Sequence, residues 1–191
     1  MSNQGRQIFI THNNACDRRL LDCSRIISFF EKNGFSVTND PTGADYLIFM
    51  TCAFHEAKED DCFRILAQLR QYQGKIIILG CLKKIAGDRL REEFGEVFLG
   101  TTELDRIDDI FPDSQFKFTE IPDANFFLKP QSLAGTSYLA KTVDGMKVIG
   151  GDLVFDRYKE LKPETEKAFI RISRGCNNHC GYCVIRKAIG P

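Results

Sequence analysis

Short apolar runs alternate with longer amphipathic stretches over residues 6–111. Residues 7–10 form a brief apolar run. Residues 17–33 place Leu20, Cys23, Ile27 and Phe30 on one helical stripe, and Gly34 is a natural stop for that helix. Residues 35–38 fit a second strand. Residues 45–51 (DYLIFMT) are apolar almost throughout, as a strand buried on both faces requires. Residues 56–73 turn Cys62, Ile65, Leu66, Leu69 and Tyr72 inward and close at Gly74. Residues 75–80 (KIIILG) are another buried strand. A short helix over 88–94, a strand over 96–99 and a helix over 104–111 complete the series. This strand–helix rhythm predicts a doubly wound, Rossmann-like parallel α/β sheet.

Residues 112–167 break the rhythm. They hold Pro112, Pro122, Pro130 and Pro163, four of the six prolines. Asp144-Gly145 and Gly150-Gly151 are turn signals between β-prone runs within 138–155, so a hairpin is expected there. Residues 168–173 (AFIRIS) start a fresh strand that runs into Arg174-Gly175-Cys176. The predicted organisation is therefore a domain over 1–111, a connection with hairpin content over 112–167, and the opening of another domain over 168–191.

Composition narrows the function classes. The 191 residues suffice for one to one and a half ordinary domains. Hydrophobic residues at 43% and charged residues at 27% describe a globular chain. With 26 basic and 26 acidic residues, net charge alone cannot hold this chain to nucleic acid. No apolar run approaches a membrane span, and no secretory signal opens the sequence, so a cytoplasmic protein without membrane contact is expected. The eight cysteines stand out. In a reducing compartment, clustered thiols bind metal or react more often than they pair.

Three of them form Cys176-Asn-Asn-His-Cys180-Gly-Tyr-Cys183, a C-x3-C-x2-C loop leaving a strand. Such a loop can wrap one face of a cubane iron–sulfur cluster, leaving the fourth iron open to another ligand. The alternative is zinc, with His179 as the fourth ligand. It requires adjacent His179 and Cys180 to turn onto one ion, and tetrahedral sites usually space their ligands further apart. This motif, with Tyr182 before its last cysteine, resembles the signature of radical S-adenosylmethionine (SAM) enzymes. The flanking RISRGCNNHCGYCVIR resembles the radical SAM methylthiotransferases in particular.

The first domain bears on the same point. Cys16 follows the first strand at a helix start, Cys52 ends the run FMTC, and Cys81 ends the run ILGC. In a parallel sheet all carboxyl strand ends lie on one edge, where ligands bind. Cysteines far apart in sequence are thereby brought to one edge. Their contexts, with Asp22 and Arg25-Ile26 downstream of Cys16, resemble the three cluster cysteines of the methylthiotransferase N-terminal domain. Gly100-Thr-Thr-Glu103 with Arg106-Ile107 is similar too. Two positions differ: the family carries Gly before its first cysteine and Asn three residues after it, where this chain has Ala15 and Arg19. Lys187-Ala-Ile-Gly-Pro191 also departs from the usual continuation, and the connection over 112–167 is longer than the family's.

The resemblance implies two four-iron four-sulfur (4Fe-4S) clusters and SAM as cofactors. Cys176, Cys180 and Cys183 would hold the cluster that cleaves SAM to a 5′-deoxyadenosyl radical, with Tyr182 near the adenine. Cys16, Cys52 and Cys81 would hold an auxiliary cluster carrying the sulfur that becomes the methylthio group. Implied partners are a tRNA adenosine or, on the alternative branch, a ribosomal protein or peptide, with flavodoxin or ferredoxin as electron donor. Only 16 residues run from Cys176 to Pro191, whereas a full barrel takes about 250, so this chain is expected to be an inactive front portion of the enzyme.

Other residues have plainer readings. Cys23 and Cys62 sit on helical stripes and are expected to pack as small hydrophobes. Phe29-Phe30 and Phe126-Phe127 are expected in the core rather than stacking on bases. His12 and His55 lie near the strand ends, where either could donate to a cluster sulfur or simply occupy a surface loop. The last 24 residues carry Arg171, Arg174, Arg186 and Lys187 and no acid, suited to an anionic substrate or to offsetting bound thiolates. Two other classes compete: a non-catalytic iron–sulfur or zinc module, and a nucleotide-binding domain with structural cysteines. Thr11-His12-Asn13-Asn14 after the first strand is not a glycine-rich phosphate loop, which counts against the last.

Overall fold

The computed structural model describes residues 5–13, 16–95, 97–123, 171–172 and 175–190. Five strands form one sheet: β1 (Gln7–His12), β2 (Ser36–Thr38), β3 (Tyr46–Thr51), β4 (Lys75–Gly80) and β5 (Val97–Gly100). Every pairing is parallel, and the order is β2-β1-β3-β4-β5. The helices are α1 (Asp17–Lys32), α2 (Glu56–Leu69), α3 (Leu82–Glu93), α4 (Ile107–Ile110) and α5 (Ile185–Ile189).

Strand alternation divides the core into two layers. Ile8, Ile10, Ile48, Met50, Ile77 and Leu79 face one side, against Cys23, Ile26, Ile27, Phe29 and Phe30 of α1 and Ile107 of α4. Phe9, Leu47, Phe49, Ile76 and Ile78 face the other, against α2, α3 and Ala188 of α5. With apolar side chains buried on both faces, β3 and β4 must read as continuous apolar runs, and they do. The doubly wound sheet expected from the sequence is the one observed.

An aromatic knot anchors the α1 layer. The Phe30 ring lies 5.3 Å from Phe29, 5.2 Å from Phe35 and 5.1 Å from Phe111, all edge to face. Phe29 and Phe30 are core residues, as expected.

Some boundaries differ from the sequence reading. Helix α3 begins at Leu82 rather than at residue 88, because Cys81 caps it directly and a kink at Ala86 (φ −131, ψ 40) joins two short helices. Helix α2 stops at Leu69, short of Tyr72. The segment after β5 opens as a 3-10 turn, Leu104–Arg106, before α4. The expected hairpin within 138–155 and Phe126-Phe127 lie outside the described residues. So does most of the expected strand over 168–173, of which Arg171 and Ile172 are described without regular structure.

Residues 175–190 pack onto the first domain. Thr101 Oγ1, just beyond β5, donates to the Ala188 carbonyl at 3.0 Å, and Ala188 is buried. Lys187 Nζ reaches the Ile85 carbonyl at 3.4 Å, which seats α5 beside α3 at the carboxyl end of β5.

Candidate functional site

The strand order reverses between β1 and β3, and such a switch point opens a crevice at the carboxyl edge. Cys16 is the N-cap of α1 beyond β1, Cys52 directly follows β3, and Cys81 directly follows β4 and caps α3. Cys16 is exposed, whereas Cys52 and Cys81 are buried.

Close backbone packing fixes the latter two. Gly80 has φ +109, and a Cβ there would stand 2.4 Å from the Thr51 carbonyl oxygen, so only glycine lets β4 end against β3. The Cys81 amide donates to that carbonyl at 3.2 Å. Thr51 Oγ1 donates to the Leu79 carbonyl at 2.8 Å and accepts from the Leu82 amide at 3.1 Å. Asn13 clamps the other loop. Its Oδ1 accepts from the Cys52 amide at 2.8 Å, and its Nδ2 donates to the Cys52 carbonyl at 2.9 Å. Nδ2 also lies 3.1 Å from Cys62 Sγ. Sequence reasoning passed over Asn13, whose only local signal is a polar residue just past a strand.

The thiols interact. The neighbouring Cys52 thiol is the largest influence in holding Cys16 below the ordinary thiol range. Burial opposes this, while the backbone amides of Arg19 and Arg18 and the Arg19 charge add to the lowering. These influences favour the thiolate of Cys16, the form that ligates metal. Cys52 is driven up first by its Cys16 neighbour, then by burial and by the Cys81 sulfur. Burial raises Cys81, and Arg19 partly offsets it. The structure thus makes Cys16 and Cys52 neighbours, with Cys81 close enough to act on Cys52 and to feel Cys16.

Cys23 and Cys62 are buried in opposite core layers, as expected. Burial, then the neighbouring Asp22 and Asp61 respectively, pushes each thiol well above its ordinary range. Cys23→Ala should cost about 1–3 kcal/mol in denaturant unfolding and leave iron uptake unchanged. Iron loss in that variant would make Cys23 a ligand.

The histidines separate. His55 is the N-cap of α2 and accepts from the Lys58 amide at 3.3 Å, so helix capping is its role. His12 ends β1 and is 7% exposed; burial, aided by the Lys58 charge, lowers it from 6.5 to about 4. Between those values the unfolded chain binds a proton that the folded chain refuses, so stability rises with pH. Acidifying the metal-free chain from pH 6.5 to 4 should cost up to about 3 kcal/mol. His12→Gln should flatten that slope in thermal melts, and an unchanged slope would contradict it.

The second triad lies on the segment docked against α3. The Cys176 amide donates to the Gly190 carbonyl and the Cys183 amide to the Cys180 carbonyl, each at 3.1 Å. Cys180 and Cys183 are exposed, and Tyr182 is 93% exposed. His179 Nε2 is engaged by Arg186 Nη1. Among the described residues, no three His, Cys, Asp or Glu side chains converge as ligands of a single ion. Nor is any helix among them long and apolar enough to cross a membrane.

Comparison with known proteins gives the family. Residues 9–100 match the model described as Uncharacterized protein family UPF0004. The chain is 30% identical over 170 residues to the "Ribosomal protein uS12 methylthiotransferase RimO" of Psychrobacter cryohalolentis, covering 89% of this chain and 28% of that protein. It is 27% identical over 184 residues to the protein of the same name from Clostridium kluyveri, covering 92% of this chain and 36% of that one. The Microcystis aeruginosa protein of that name is 26% identical over 177 residues, with 92% and 36% covered. The chain spans about a third of the length of the curated relatives it matches. With a UPF0004 domain on a doubly wound sheet and relatives of this kind over nine-tenths of its length, the chain belongs to the methylthiotransferase family.

Proposed function

We propose that this chain contributes the sulfur-donor domain and the SAM-cluster loop of a radical SAM methylthiotransferase. The observation that carries the reading is the placement of Cys16, Cys52 and Cys81 just beyond β1, β3 and β4, at the carboxyl edge beside the sheet's switch point. The donor set suits a 4Fe-4S cluster. The ligands are all sulfur, and the surroundings of Cys16 favour its thiolate form. Cys176, Cys180 and Cys183 would hold the second cluster, with Tyr182 free to meet an adenine.

When bound, the clusters and SAM supply the radical and the sulfur for a C–H to C–SCH3 conversion. The protein's part is placement. Gly80, Thr51 and Asn13 hold the buried cysteines rigidly, and α5 seats the second loop against the first domain. The names of these three relatives, each a ribosomal protein uS12 methylthiotransferase, support a ribosomal-protein substrate over a tRNA adenosine. The reading includes a cytoplasmic setting and a flavodoxin or ferredoxin as electron source. Supplying the full-length protein with SAM, a reductant and uS12 tests it. Methylthiolated uS12 with 5′-deoxyadenosine is expected; modification of tRNA alone would move the protein to the other branch.

A further inference from the structure

Arg19 is 1% exposed and heads the largest fully buried side chains of the molecule. It lies in the first turn of α1, three residues after Cys16 and so on the same helix face, and its amide donates to the Cys16 carbonyl at 2.7 Å. Its guanidinium pairs with a carboxylate, Nη2 standing 2.8 Å from Asp22 Oδ2. Nε and Nη1 are buried without a hydrogen-bond partner. Asp22 does not neutralise Arg19 alone, because its other oxygen lies 2.7 Å from Arg171 Nη2. Arg171 also meets Asp123, with Nε 3.3 Å from Oδ2, so two guanidinium groups and two carboxylates form one cluster, and Arg19 keeps two unused donors behind the cysteine edge. A buried cation with idle N–H groups is costly unless something anionic accepts from it.

We propose that Arg19 donates its Nε–H and Nη1–H to the sulfurs of the cluster held by Cys16, Cys52 and Cys81, and that its charge favours the reduced form of that cluster. The inference rests on the cluster reading above. Its chemistry is electrostatic. Three thiolates on a cubane core leave a net negative group, and one-electron reduction makes it more negative. A fixed cation and N–H···S hydrogen bonds stabilise the more negative state and raise the potential. Arg19 also lowers the Cys16 and Cys81 thiols, which agrees with its facing the site.

The test uses the 191-residue chain carrying Cys176→Ala, Cys180→Ala and Cys183→Ala, so that only the first site can load. The chain is reconstituted anaerobically with iron and sulfide and titrated with dithionite under electron paramagnetic resonance. Dithionite supplies the electron, and no bond to protein forms or breaks. In Arg19→Gln the oxidised-to-reduced ratio at a fixed poise should rise about tenfold, a fall in midpoint of about 59 mV for one electron. Arg19→Lys keeps the charge with fewer donors and should fall less. An iron-loaded Arg19→Gln with the parent's midpoint overturns the proposal for Arg19 and leaves the cluster reading intact. A parent that takes up no iron overturns both. If circular dichroism shows Arg19→Gln unfolded, Arg19→Lys decides, and a midpoint equal to the parent's overturns the proposal.

Discussion

Replacing Cys16, Cys52 and Cys81 together by alanine in the full-length protein is expected to spare reductive SAM cleavage and abolish methylthiolation. The two triads are built on separate elements. The first sits at the ends of β1, β3 and β4, and the second on the loop leading into α5. On the proposed reading, removing the first triad takes away the sulfur donor but none of the residues that would hold the SAM cluster. Deoxyadenosine should still form, measured by chromatography, while methylthiolated product falls to background. Replacing Cys176, Cys180 and Cys183 should abolish both. A first-triad variant that still methylthiolates would show that the sulfur comes from elsewhere.

The largest expected stability loss comes from Phe30→Ala. Its ring is fully buried and meets three other aromatic rings edge to face. Those rings come from α1, from the residue before β2 and from the end of α4, so one deletion loosens three elements. A phenylalanine-to-alanine cavity costs about 3–5 kcal/mol, a large part of the stability of an ordinary domain. Chemical denaturation should show a much lower midpoint with an unchanged slope. A loss under about 1 kcal/mol would mean that the layer collapses around the gap.

The sheet was legible because its strands carry their own signal. A strand buried on both faces has to be apolar at every position, and residues 45–51 and 75–80 could hardly be read otherwise. Parallel connectivity then delivers cysteines 36 and 29 residues apart to one edge, since consecutive strand ends must lie together. What escaped the sequence depends on contacts with no period. Asn13 acts through groups 39 and 49 residues away, and nothing local marks it. His55 sits near the site but is used as a cap, because a helix starts one residue later. The first turn of α3 was hidden by Gly87, which weakens the local helical signal although Cys81 has already started the helix. Arg19 was visible only as a departure from the family's asparagine. Its buried, half-satisfied guanidinium emerges only when α1 is laid against the sheet.

The most direct measurement is the iron and sulfide content of the anaerobically reconstituted chain in which Cys176, Cys180 and Cys183 are alanine. About four irons and four sulfides per chain are expected, held by Cys16, Cys52 and Cys81. Adding Cys16→Ala, Cys52→Ala and Cys81→Ala to that chain should bring both to zero without changing its circular dichroism. Zinc in place of iron, no iron at the outset, or iron that survives loss of the first triad would contradict a cluster at the switch point of this sheet.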